Sequence, residues 1–157
     1  MRSRRGTNKS ATNSVRRGMT AKEYLKQYEY AVKRIRRLEE EYEAELLLID
    51  AVRSLSDNDG MPHGSGISKP TEDKAIRLAN RALRLVDARR DAIALRQEVF
   101  DLIDSIGGTE GEVLFEKYIN LKTWEQVCVD INYSWMQTHR YHRRALEMVE
   151  AKINGME

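Results

Sequence analysis

From Thr20 onward apolar residues recur in steps of three and four, at Leu25, Tyr28, Val32, Ile35, Leu38, Tyr42, Leu46, Ile49, Val52 and Leu55. That spacing sets them along one stripe of a long α-helix, with Arg34, Arg36, Arg37, Glu39, Glu40 and Glu43 on the opposite face. Thr20 and Glu23 predict a reciprocal capping box at its start, the hydroxyl capping the first turn while the carboxylate reaches back. The pattern breaks across residues 57–70, where Asp59-Gly60, Met61-Pro62 and Gly64-Ser65-Gly66 follow one another. Without a following Lys-Ser/Thr or a preceding strand, that Gly-Ser-Gly is a flexible loop and not a phosphate cradle. A second helix is predicted from Thr71, with Glu72 and Asp73 complementing the dipole at its N-terminus. Its stripe is read through Ile76, Ala79, Leu83, Val86, Ile93, Phe100, Ile103 and Ile106, interrupted by Arg90 and Arg96, and Gly107-Gly108 ends it. Neither stripe can be buried alone. The expectation is an antiparallel, coiled-coil-like helical hairpin over residues 20–106, its remaining apolar surface covered by the C-terminal helices or by a second copy of the chain, a homodimer.

The remaining pattern is shorter. Residues 109–120 carry Val113, Leu114, Tyr118 and Ile119 on one side, and the turn Asn120-Leu121-Lys122 leads to a second capping box, Thr123 with Gln126. The helix that follows bears Trp124, Val127, Cys128 and Ile131, and ends at Asn132, a residue that tolerates the left-handed backbone of a tight turn. Ser134 with Gln137 makes a third box, and the last helix runs from Trp135 to about Ile153. Thr138, Tyr141, Ala145, Leu146 and Val149 share one of its faces and are expected to pack onto Val127 and Ile131. The other face is read as Trp135, Met136, Gln137, His139, Arg140, His142, Arg143 and Arg144. Over residues 109–153 this is the layout of a helix-turn-helix.

Composition agrees with an all-α chain: of 157 residues, 41% are hydrophobic, 33% charged and only 7% aromatic, and the only prolines are Pro62 and Pro70. The formal net charge of +2 conceals an asymmetry. Arg2, Arg4, Arg5, Lys9, Arg16 and Arg17 meet no acid before residue 20, so residues 1–19 read as a disordered basic arm and the remainder is net acidic. Such a body binds nucleic acid only through a local cluster. From Ser134 to Leu146 the chain has three arginines, two histidines and no acid, which is such a cluster. The lone Cys128 excludes an intrachain disulfide and a cysteine-based zinc cluster, and reads as a small buried hydrophobe. His139 and His142 lack a third ligand, so no metal is expected. The carboxylates of residues 39–45 have no pocket and no nucleophile–base pair occurs, so neither an enzyme nor a cofactor is expected. No apolar run reaches the roughly 20 residues of a membrane span, and the cytoplasm of a bacterial host is the expected location.

Tyr118-Ile119, Leu121-Lys122-Thr123-Trp124-Glu125-Gln126-Val127, Asn132-Tyr133-Ser134 and Arg143-Arg144-Ala145-Leu146 resemble sigma-70 region 4. Residues 19–153 as a whole are similar to a phage and prophage family of late-gene transcriptional regulators of the ArpU/RinA type, which joins a coiled N-terminal half to a region-4-like end. Met19-Thr20-Ala21-Lys22-Glu23-Tyr24-Leu25 and Gly60-Met61-Pro62-His63-Gly64-Ser65-Gly66 add to the likeness, and Asn132 stands where such motifs usually carry glycine. The resemblance implies a sequence-specific transcriptional regulator that binds double-stranded DNA, with the last helix in the major groove and RNA polymerase as a further partner. The expected DNA-binding residues are Thr123, Ser134, Met136, Gln137, His139, Arg140, Arg143 and Arg144, with Thr123 and Ser134 near phosphates and Gln137 facing adenine. Trp135 is expected to pack across the turn onto Tyr133 or the hairpin. Two other functions fit the same layout: an RNA polymerase-binding protein without tight DNA contact, and a small-terminase-like subunit that recognises DNA for phage packaging.

Overall fold

The computed structural model describes residues 19–56 and 69–155, and every described element is a helix or a turn between helices. The basic arm up to residue 18, residues 57–68 of the interruption, and the side chains of Val52 and Leu55 lie outside the described residues. Among the described residues no helix is long and apolar enough to cross a membrane.

Helix α1 spans Ala21–Ser56 and α2 spans Lys69–Asp104. The Thr20 amide donates to Glu23 Oε2 at 2.9 Å and the Glu23 amide donates to Thr20 Oγ1 at 3.3 Å, so the first capping box forms as its sequence predicts. The bond from the Thr20 amide, and then one from the Thr20 hydroxyl, which donates to Glu23 Oε2 at 3.0 Å, hold the Glu23 carboxyl below its usual pKa. α2 starts at Lys69 rather than at Thr71, which puts Pro70 in the first turn, where its missing N–H has no helical partner to lose.

The chain divides into two compact units, and the division falls inside both long helices: the described residues of Tyr30–Ala94 form one, and those up to Glu29 join those from Leu95 onward in the other. In Tyr30–Ala94, the α1 stripe is the expected one: Val32, Ile35, Leu38, Tyr42, Leu46 and Ile49 are all half-buried. On α2 the buried face differs from the expected stripe. Ile76, Leu83, Val86 and Ile93 remain 52, 63, 58 and 71% exposed, whereas Leu85, Ala88 and Ala92 are buried and Leu78 and Ala82 half-buried. The helix carries two apolar stripes, and the one with smaller side chains turns inward. Its flanks explain the choice. Arg81 reaches Glu41 at 3.0 Å and Glu45 at 3.4 Å, Arg89 reaches Glu39 at 2.6 Å, and Arg77 lies 3.6 Å from Glu45. As numbers rise along α2 the partners fall along α1. Each exposed pair contributes at most about 1 kcal/mol, but together they set which face of α2 meets α1.

The other unit holds the main core. Leu25 of α1, Val99 of α2, and Leu114, Tyr118, Ala145 and Val149 are almost completely buried in one cluster, with Ala21, Tyr24, Leu102, Ile103 and Ile119 beside them. Phe100 and Phe115 meet edge to face at 6.0 Å. Thus the first turns of α1 and the last turns of α2 belong to the same core as the C-terminal helices. Gly107 and Gly108, at φ +65° and +61°, turn the chain out of α2 into α3, Gly108–Leu114. Gly111 then passes Ile103 so closely that a Cβ there would lie 3.3 Å from the Ile103 carbonyl oxygen. α3 continues as a π-helical segment, Phe115–Ile119, closed by the Asn120 amide donating to the Phe115 carbonyl at 3.1 Å. Helices α4, Trp124–Asp130, and α5, Trp135–Asn154, complete the chain, and α5 packs on both α3 and α4. A smaller core of Val113, Val127 and Ile131, with Trp124, Tyr133 and Tyr141 partly buried against it, joins them.

Candidate nucleic-acid interface

Each of the turns around α4 contains one left-handed residue, favourable in one case and costly in the other. Asn132 adopts φ +56°, the left-handed conformation its position predicts, and Leu121 adopts φ +54°, which the sequence does not signal. Both expected capping boxes form. The Thr123 amide donates to Gln126 Oε1 at 3.0 Å while the Gln126 amide donates to Thr123 Oγ1 at 3.4 Å. The Ser134 amide donates to Gln137 Oε1 at 3.2 Å while the Gln137 amide donates to Ser134 Oγ at 3.4 Å.

Two lysines brace this region from within. Lys122 Nζ lies 2.6 Å from Glu116 and 2.8 Å from Asp130, which ties the π-helical segment to the end of α4. The bond to Asp130 and then that to Glu116 raise the Lys122 pKa above its ordinary value. Lys117 donates to the Lys122 carbonyl at 2.8 Å and sits 5.0 Å from the centre of the Trp124 ring.

Behind α5 lies an aromatic and histidine cluster. Trp124 is 4.5 Å from His139 and 4.7 Å from His142, and Trp135 approaches His139 from its other side at 4.6 Å. Tyr118 and His142 share a 3.0 Å hydrogen bond between the phenol oxygen and Nε2. Burial first, then the charges of His139, Lys22 and Lys117, depress the His142 pKa to about 4. Burial, assisted by Glu29, pushes Tyr118 up to about 12. Both groups are therefore neutral at pH 7.

His142 was expected on the solvent face of α5, and the structure puts it in the core at 8% exposure. It follows Thr138 by four residues and precedes Ala145 and Val149 by three and seven, so helical periodicity places it on the buried face that the polar type of its side chain disguised. Trp135 packs on His139 and not on Tyr133, which instead meets Tyr141 at 5.1 Å. Cys128 is half-buried. Thr138, completely buried as expected of its face, and His139 each keep a buried polar atom, Oγ1 and Nε2, without a hydrogen-bond partner among the described residues.

What remains outward on α5 is a ridge. Met136 is 73% exposed, and Gln137, Arg140, Arg143 and Arg144 are exposed beside it. Their offsets of one, four, seven and eight from Met136 keep them on one side of the helix. Thr123 and Ser134 are exposed at the N-termini of α4 and α5, and His139 is half-buried between the indoles. Four of these groups already have hydrogen-bonded or ionic partners within the fold: Thr123 and Ser134 through their capping boxes, Gln137 through its capped Oε1, and Arg144, which meets Glu110 at 2.9 Å. Glu110 lies outside the acid-free window that identified the cluster, so inspection of that window alone does not find it. No family model, curated protein or solved structure matches the chain.

Proposed function

We propose that the chain is a sequence-specific DNA-binding transcriptional regulator of phage or prophage type, acting in the cytoplasm of a bacterial host. In this reading an antiparallel helical hairpin leads into a helix-turn-helix of sigma-70 region-4 type, similar to the ArpU/RinA late-gene regulators. α5 is the helix that enters the major groove. The supporting observation is the exposed Met136, Gln137, Arg140, Arg143 and Arg144 ridge, on a helix whose first turns carry no acid and whose other face is anchored in two cores. An α-helix of about 10–12 Å diameter fits a major groove about 12 Å wide.

The ridge assigns roles by chemistry. An arginine that reaches a guanine edge contributes about 1–3 kcal/mol of discrimination, and one that reaches phosphate gives affinity without sequence preference. Arg140 and Arg143 are the candidates for the first role, and Met136 offers an apolar contact to a thymine methyl. Gln137 has its carbonyl held by Ser134, which leaves its amide hydrogens for a base acceptor. Ser134 and Thr123, each at a helix N-terminus, approach phosphates. The basic arm adds sequence-independent affinity, about 0.9 log units of salt slope per neutralised phosphate.

The test is selection of bound fragments from a randomised duplex library, with the full chain, a chain beginning at Met19, and the Arg140→Ala/Arg143→Ala double variant. The expected result is an enriched motif that survives loss of the arm and disappears in the double variant. No enrichment, or binding that depends only on the arm, overturns the proposal and makes RNA polymerase the partner to test.

A further inference from the structure

The apolar stripe that α2 leaves outside has a register of its own. Ile76, Ala79, Leu83, Val86, Arg90 and Ile93 alternate steps of three and four, the a and d positions of a helix–helix seam. The four large apolar members are each more than half exposed, although stripes of this kind are normally the buried ones. The helix cannot roll to cover them within the chain. Its opposite face is buried through Leu85, Ala88 and Ala92, and Arg77, Arg81 and Arg89 pair with α1 on that side.

We infer that this face of α2 is the contact surface for a second copy of the chain, with the two α2 helices antiparallel across a two-fold axis between residues 84 and 85. Arg90, the one charged position in the seam, decides both occupant and direction. A parallel pair would set Arg90 against Arg90 of the partner copy. The antiparallel pair layers Ile76 with Ile93, Leu83 with Val86, and Arg90 with Ala79, whose methyl group leaves room for the arginine stem. Asp87 already meets Arg90 at 2.8 Å and neutralises it at the edge of the seam. The same two-fold brings Asn80 of one copy beside Asp87 of the other on the flank of the seam, an amide donor next to a carboxylate. Every layer is then self-complementary, as a two-fold contact requires. The seam stands independently of what α5 binds.

Sedimentation equilibrium and disulfide trapping on the full chain test this. The wild-type chain is expected to dimerise reversibly with concentration, and Leu83→Glu/Val86→Glu to sediment as a monomer with unchanged helical circular dichroism, since both side chains are exposed in the single chain. Leu48→Glu, an equally exposed leucine off the seam, is expected to leave the dimer intact. With Cys128→Ser as background, a mixture of Ile76→Cys and Ile93→Cys chains is expected to form the mixed disulfide in preference to either homodisulfide. A chain that stays monomeric at all concentrations overturns the inference. So does a dimer that survives Leu83→Glu/Val86→Glu, or an Ile76→Cys chain that crosslinks chiefly to itself.

Discussion

The phenol oxygen of Tyr118 lies 3.0 Å from His142 Nε2 in the core that holds α5, and both side chains are almost wholly withdrawn from water. A polar pair in such a place contributes through mutual satisfaction: removing one partner leaves the other buried and unbonded. It also makes the core beneath the proposed reading helix sensitive to protonation.

The sign follows from the direction of each shift. His142 is depressed from 6.5 to about 4, so the unfolded chain takes up the proton first as pH falls. Its stabilising contribution is complete above pH 6.5 and is lost as pH drops through about 4, with a limiting slope of about 1.4 kcal/mol per unit. Tyr118, raised from 10 to about 12, adds stability below pH 10 that is lost as pH rises through about 12. Urea midpoints measured between pH 4 and 8 should fall on the acid side in the wild-type chain and fall less steeply in His142→Phe.

A double-mutant cycle separates the bond from its surroundings. His142→Phe alone should cost about 1–3 kcal/mol, because the Tyr118 hydroxyl is left unbonded. Tyr118→Phe/His142→Phe should recover part of that loss. Equal destabilisation of the single and double variants would mean that packing, not the hydrogen bond, holds the pair.

The three capping boxes, the inward stripe of α1 and the Asn132 turn were legible because each depends on residues within one or two turns of one another. The buried face of α2 was not. Ile76, Leu83, Val86 and Ile93 outweigh Ala82, Ala88 and Ala92 in any ranking by hydrophobicity, and only the arginine pairs to α1 reveal the rotation. Likewise the Lys122 clamp joins Glu116 and Asp130 at offsets of six and eight, the first across the Asn120-Leu121 turn, which no helical pattern marks. The left-handed Leu121 gives no signal at all, since leucine is a residue for which that backbone is costly.

Asn132 is exposed and left-handed, so its contribution is conformational. Asn132→Ala should destabilise the chain by about 1 kcal/mol, and Asn132→Gly should be neutral or slightly stabilising. Thermal unfolding of the three chains orders them. An alanine variant as stable as wild type would mean that the turn relaxes to another backbone.

Lysines and arginines near α5 should separate by what they already hold. Lys122 is engaged by two carboxylates within the fold, so Lys122→Met should lower stability slightly, more at low salt, and leave the salt slope of DNA binding unchanged. Arg140 is exposed and outside any ion pair among the described residues, so Arg140→Ala should leave stability nearly unaltered. If Arg140 neutralises a phosphate, the slope falls by about 0.9; if it reads a base, binding discrimination at one position falls instead. Titrations at several salt concentrations on one duplex and its single-base variants distinguish the two.

Arg144 is a cation held in reserve. Its guanidinium meets Glu110 at 2.9 Å and lies 6.0 Å from the Tyr141 ring, so its charge is already partly neutralised within the chain. The arginine side chain is 57% exposed and Glu110 is 18% exposed, so the carboxylate is the more confined partner. Replacing it frees a charge at the edge of the ridge without adding a residue there. Glu110→Gln should therefore tighten DNA binding at low salt and steepen the salt dependence by up to about 0.9 log units, whereas Glu110→Gln/Arg144→Ala should show neither change. A gain that persists in the double variant would trace to the general loss of a negative charge, and Arg144 would then have no place in the contact set.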